Sequence, residues 1–276
     1  MLDSITYNIP CSMVSSYRGK GVVIRSHDPT DLVESLSEEN LDSISYIQLL
    51  SLTYDVDGLL SSRYSMPLDL VMSNPKEEFS LLYKYSRLLA KQPVRVSVPV
   101  IAGFSNAVRL AISLNFAVKL LVEQPNRPLI EEMLEVLRYY LHHSTVSQPI
   151  EFFHSMLMAF YHDHPGTLWE IQEQHPAFFR YVSDQGEESI SKRFAVKGLS
   201  MAPDAIAKEF QHDLSNENME CHACDYLDNC YGYFKWPQKE YSCEGIKIIL
   251  KKLKDAAEEL KKNLSSHVDA GGTEQL

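Results

Sequence analysis

The sequence predicts an α/β protein: a partial (β/α) barrel-like domain of about four to six mostly parallel strands over residues 40–185, then a small cysteine-bound cap and a terminal helix. Short apolar, β-branched runs alternate with segments of helical periodicity, and turns rich in Pro, Gly and Asp separate them. Four of the five cysteines fall together in the chain, from Cys221 to Cys243.

The first 40 residues mix polar and apolar positions around Pro10, Gly19, Gly21 and Pro29, and GVVIRS (21–26) reads as a short strand inside an N-terminal extension. ISYIQLLSL (44–52) is a compact apolar run closed by YDVDG, which suits a buried strand and its exit loop. LDLVMSN (68–74) repeats that signature after Pro67. Pro75 and the acidic Glu77 and Glu78 suit the first turn of a helix whose body is 79–92, stopped by Pro93. VRVSVPVI (94–101) and FAVKLLV (116–122) are strands flanking a helix at 105–115. Leu129, Met133, Leu134, Leu137, Tyr140 and Leu141 recur at spacings of three and four, which predicts a helix over 127–143. PIEFFHSMLMAFYH (149–162) is a candidate for a fifth strand running into a helix, TLWEIQEQHPAFFRYV (167–182) adds aromatic-rich packing, and periodicity leaves both stretches undecided.

DQGEES (184–189) and QHDLSNENME (211–220) are poor in hydrophobics and resemble a linker. This divides the chain into an extension (1–40), the barrel-like domain (41–200), the cap with its helix (201–264) and a frayed tail (265–276). The terminal helix, 244–264, places Ile246, Ile249, Leu250, Leu253, Ala256, Ala257 and Leu260 on one face and lysines opposite.

The composition is that of a globular protein, 45% hydrophobic and 23% charged, with a formal net charge of −11. Such a charge builds in no general attraction to phosphates, so nucleic acid is not an expected partner. No apolar run approaches a membrane span and the N-terminal residues lack a signal-peptide pattern, so the expected location is the cytoplasm, without membrane insertion.

The cysteine segment reads Cys-x2-Cys-x5-Cys-x12-Cys, with Cys221, Cys224, Cys230 and Cys243 as candidate ligands of one metal centre. Clustering of this kind in an intracellular chain indicates metal more often than disulfides. Structural zinc usually takes two tight pairs, whereas only the first pair is tight here, so the spacing favours a [4Fe–4S] cluster, with zinc as the alternative. Tyr226, Tyr231, Tyr233, Phe234, Trp236 and Tyr241 crowd the same stretch and could supply the apolar shell that tunes a cluster. Cys11 stands alone, and His222 reads as a loop residue.

CHACDYLDNCYGYF resembles the auxiliary-cluster motif of radical SAM enzymes with a SPASM domain, Cys-x2-Cys-x5-Cys-x3-Cys followed by a distant cysteine. Cys221, Cys224 and Cys230 match the first three; Phe234 stands where the family has its next cysteine, and Cys243 takes the place of a fourth ligand. The βα run from 44 to about 160 is also similar to part of the family's partial barrel. The Cys-x3-Cys-x2-Cys loop of the SAM-reducing cluster is absent. The resemblance therefore implies a degenerate member with a SPASM-like cap, unable by itself to do radical chemistry. Such a protein would act as an iron–sulfur accessory factor, binding a precursor peptide or a partner radical SAM enzyme in ribosomal-peptide modification, with electron relay as a further role the resemblance implies.

A second class of function is a metal-dependent enzyme with a structural cysteine site. His142, His143, His154, His162, His164 and His175 gather in the chain, and Glu151 lies three residues before His154. Asp55, Asp57 and Glu123 follow predicted strands, where α/β folds place ligands. Gly103 before a helix reads better as a turn residue than as an anion loop, and the lysine face at 247–262 as a solvated surface. A third class is a zinc-bound structural interaction module.

Overall fold

The β-branched segments assemble into a nine-stranded, mostly parallel sheet in a computed structural model that describes residues 5–163, 166–195, 212 and 219–270. The strands are β1 (Thr6–Pro10), β2 (Gly21–Ser26), β3 (Ile44–Leu49), β4 (Leu68–Val71), β5 (Val94–Pro99), β6 (Ala117–Leu121), β7 (Ile150–Glu151), β8 (Phe179–Val182) and β9 (Glu188–Ser189). Their order is β7-β6-β5-β4-β3-β2-β1-β8-β9, and every pair is parallel except β8–β9. From β1 to β7 each strand lies beside its successor, so the crossovers step along the sheet in one direction. β8 then returns to the free side of β1.

The N-terminal segment is thus no extension. β1 pairs with both β2 and β8, so residues 6–26 sit inside the sheet, and Ile9, Val23 and Ile24 are buried there. The mixed composition of 1–40 hid this, because the strand TYNIP carries two polar residues and a proline. The linker reading also changes: β9 falls within 184–189, and Ile190 and Phe194 beyond it are buried. Most of 196–218 lies outside the described residues.

Helices at Phe104–Ser113 and Arg127–His142 fall where the sequence places them, and the helix Phe153–His162 follows β7. Asn126 caps the second of them, its Oδ1 accepting the N–H of Leu129 at 3.2 Å, and Pro128 fits in the first turn. The predicted helix over 75–92 is instead a chain of short α and 3₁₀ turns, Pro75–Glu78, Phe79–Leu81, Leu82–Tyr85 and Ser86–Ala90. Its apolar anchors explain this: Phe79, Leu82, Tyr85 and Leu88 recur every three residues, the period of a 3₁₀ helix. The undecided stretch 167–182 holds both elements, a short helix at Leu168–Ile171 and then β8.

The terminal helix runs Glu244–Ala270, beyond the expected end at 264. Ile246, Ile249, Leu250, Leu253 and Ala257 are buried, while Leu260 is exposed. Gly245 lets this helix approach the 127–142 helix, since a Cβ there would stand 2.9 Å from Cγ1 of Ile130. Cap residues Tyr233, Phe234 and Cys243 belong to the same continuous core as the sheet. No helix among the described residues is long and apolar enough to cross a membrane.

Candidate functional site

Cys221 and Cys224 lie on a turn in which the Cys224 N–H donates to the Cys221 carbonyl at 3.1 Å. Cys230 ends a short helix, Leu227–Cys230, after which Tyr231 (φ 47°) and Gly232 (φ 69°) take left-handed conformations and reverse the chain. That reversal sends Tyr233, Phe234 and Lys235 inward, where all three are buried. Cys243 directly precedes the terminal helix.

These elements bring Cys221, Cys224, Cys230 and Cys243 to one narrow cleft, with Tyr226, Leu227, Phe234, Ile246 and Leu250 as its apolar wall. The enclosed space is only about 20 Å³, and the cleft is partly open to solvent. Phe234 thus lines the same cleft as the cysteines. No group of three or more His, Cys, Asp or Glu side chains among the described residues has the spacing to hold a metal ion. The thiols therefore share a cavity without being gathered onto a single point.

Burial pushes the Cys230 and Cys243 thiols up to about 12 and raises Cys221 as well. The backbone N–H groups of Phe234 and Tyr233 oppose this at Cys230, and the Lys235 ammonium opposes it at Cys221 and Cys243. A cation in the cleft would complete the compensation, taking up thiolates and releasing protons. As a donor set, four thiols with amide donors, an apolar wall and a nearby ammonium suit an iron–sulfur cluster.

A charged clamp, which the cysteine pattern does not disclose, braces this cleft. Glu220 accepts from Lys235 Nζ at 2.8 Å, from Lys247 Nζ at 2.8 Å and from the Cys243 N–H at 3.3 Å. Lys235 also donates to the Tyr241 carbonyl at 2.6 Å. Burial works to raise the Glu220 carboxyl, but the two lysines and the Cys243 amide outweigh it and hold it down at about 2. A lysine inside the aromatic run YFKW was the available signal, because so apolar a setting forces an ammonium to find a partner.

Several contacts dock the cap on the sheet domain. Gln124 Nε2 donates to the carbonyls of Phe234 and Gln238 at 2.8 and 2.9 Å, Tyr241 OH to the Pro125 carbonyl at 2.7 Å, and Trp169 Nε1 to the Tyr231 carbonyl at 3.0 Å.

A second polar constellation crosses one face of the sheet. In register, Arg25 lies beside Gln48, Gln48 beside Asp69, and Asp69 beside Arg95. Arg25 NH1 donates to Asn8 Oδ1 at 2.9 Å, Asn8 Nδ2 to Gln48 Oε1 at 2.6 Å, and Gln48 Nε2 to Asp69 Oδ2 at 3.0 Å. Arg95 NH2 donates to Asp69 Oδ2 at 2.9 Å, and Glu173 pairs with both Arg95 (3.3 Å) and Lys119 (2.6 Å). Each strand carries its charge alone among apolar residues, as in LDLV, VRVSV and AVKLL. That isolated charge is the mark sequence reading passed over.

The histidines go separate ways. His154 Nδ1 meets Tyr140 OH at 2.8 Å, His175 stacks on Phe178, and His142 and His143 line a surface groove with Arg109 and Arg138. His162 is exposed and His164 lies outside the described residues. Glu151 bonds the Ser155 hydroxyl rather than a shared centre with His154. Of the loop carboxylates, Asp55 accepts the Asp57 N–H, Asp57 pairs with Arg87, and Glu123 pairs with Arg193, all near the surface. Gly103 adopts φ 88° against the backbone of Lys76, the turn role expected of it.

No protein-family model matches the chain, and neither does any curated protein. Fold and site together define an α/β protein with a mostly parallel sheet and a C-terminal cap whose four cysteines share one cleft.

Proposed function

We propose that the cap holds a [4Fe–4S] cluster on Cys221, Cys224, Cys230 and Cys243, and that the protein is an accessory factor related to radical SAM/SPASM peptide maturases. The observation that carries this is the convergence of all four cysteines on one apolar cleft backed by Lys235 and Lys247. A single zinc would need its sulfurs about 3.8 Å apart, from a Zn–S bond of about 2.3 Å. Among the described residues the cysteines are not gathered to that spacing, so they would have to close on either a zinc ion or a cluster when it is loaded. A cluster is wider and asks for a larger cage.

The sheet supports the same relationship. Strands β1 to β8 follow the sequential order of a (β/α) barrel opened between β7 and β8, a layout compatible with a partial barrel-like domain. When bound, the cluster supplies one-electron transfer; the chain's own residues cage it, exclude water and place counter-charge beside it. Without the cysteine loop for a SAM-reducing cluster, the role that fits is to present a peptide to, or exchange electrons with, a partner enzyme.

Anaerobic reconstitution with iron and sulfide tests the first part. The proposal expects broad charge-transfer absorbance and an EPR signal on reduction, both lost in Cys230→Ser. Stoichiometric zinc with no such signal would end it. Co-purification of the loaded protein with a radical SAM enzyme or a precursor peptide tests the second part.

A further inference from the structure

Glu173 belongs to the segment between the Leu168–Ile171 helix and β8, yet its carboxylate reaches across to three strands of the sheet. Tyr46 OH on β3 donates to Oε2 at 2.6 Å, Lys119 Nζ on β6 meets the same oxygen at 2.6 Å, and Arg95 NH1 on β5 meets Oε1 at 3.3 Å. We infer that Tyr46, Arg95 and Lys119 form a recognition site for a small organic carboxylate, which Glu173 fills in place of the ligand. This inference stands apart from the cysteine site.

Arg95 is fixed without help from Glu173. Arg95 is braced by Asp69, Asp69 by Ser97 and Gln48, and the Arg95 guanidinium lies 4.9 Å from the centre of the Tyr46 ring. The cradle is therefore built on the rigid sheet, as binding sites need to be. With Glu173 withdrawn, Arg95 and Lys119 face Asp69 alone and leave one uncompensated positive charge, which suits a singly charged anion. The two oxygens of a carboxylate can divide these donors as Glu173 does, one toward Arg95 NH1 and the other toward Lys119 and Tyr46.

The plug itself is strained. Glu173 is a non-glycine residue at φ 56°, a conformation that costs free energy and persists where the surroundings hold it. Its neighbours tie the segment to two places: Gln172 Nε2 donates to the Leu120 carbonyl at 3.0 Å, and Trp169 Nε1 to the Tyr231 carbonyl in the cap. Withdrawing Glu173 would thus move a segment that carries Trp169, one of only two tryptophans in the chain.

The test uses the full chain as wild type, Glu173→Gly and Glu173→Gln, titrated with sodium acetate and with acetyl-triglycine as acid and as amide, against sodium chloride at equal ionic strength. Glycine suits the left-handed position, so E173G empties the cradle and relieves the backbone; E173Q keeps the side-chain volume if E173G fails to fold. Wild type must first expel its own carboxylate, so the variants should saturate at a concentration at least about tenfold lower, read by tryptophan fluorescence and by a rise in melting temperature. Adding Arg95→Met should abolish the response, and whichever of acetate or peptide acid binds tighter identifies the source of the carboxylate. Equal responses of wild type and both variants, or chloride or the amide acting as well as the acids, would overturn the inference.

Discussion

Glu220 Oε2 accepts the backbone N–H of Cys243 at 3.3 Å, so the residue before the first cysteine of the cap fixes the last one. The same carboxylate satisfies Lys235 and Lys247, and Lys235 is almost wholly buried.

Removing that carboxylate leaves a buried ammonium with one carbonyl partner. Glu220 is about one-third exposed, which softens the loss, so Glu220→Ala should cost about 1–3 kcal/mol. Urea unfolding should show a lower midpoint with an unchanged slope. Glu220→Gln should cost less than alanine, because the amide oxygen can still accept from one lysine.

Asp69 is the buried acceptor on which Gln48, Arg95 and Ser97 converge, at 3.0, 2.9 and 2.7 Å. Asp69→Ala strands three donors and should destabilise the fold by about 3–5 kcal/mol, measured in the same urea titration. Asp69→Asn keeps one acceptor oxygen and should fall between alanine and wild type.

Acid should expose the role of Glu173. Burial favours its neutral form, but Lys119 and Arg95 outweigh burial and lower it from 4.5 to about 2. Its contribution is therefore complete above pH 4.5 and is lost as pH falls toward 2, where the folded form also takes up the proton. Stability measured across that window should decline less steeply in Glu173→Gln than in wild type, with a difference on the order of 2–3 kcal/mol accumulated between the two ends.

Gly245 and Ile130 should behave as a coupled pair. A Cβ at 245 would stand 2.9 and 3.0 Å from Cγ1 and Cγ2 of Ile130, too close for the helices to keep their packing. Gly245→Ala should cost about 1–3 kcal/mol by overpacking. In the Ile130→Ala background the same substitution should cost much less, giving a double-mutant coupling of at least about 0.5 kcal/mol.

The chain announces its strands from 44 to 121 because each is a short, largely apolar run separated from the next by polar or turn-forming residues, as a parallel sheet covered on both faces requires. It conceals β1, whose Asn8 looks like a loop residue until its amide is seen donating to Gln48. It conceals the charge row for the same reason: Asp69, Arg95 and Lys119 are single charges in largely apolar strands, and only strand register sets Asp69 beside Arg95 and Lys119 diagonally from it, beside Ser97. The cysteine quartet was legible as a set because its members lie close in the chain. The Glu220 clamp was not, because a glutamate before a cysteine carries no pattern, and its partners at 235 and 247 reach it through the chain reversal at Tyr231 and Gly232.

Native mass spectrometry of the anaerobically reconstituted protein reads the contents of the cysteine cleft directly. The account predicts one mass increment equal to a [4Fe–4S] unit on the wild-type chain, retained in Cys11→Ser and lost or reduced to partial occupancy in Cys243→Ser. An increment of a single zinc ion, or a [4Fe–4S] unit that persists when Cys243 is replaced, would contradict it.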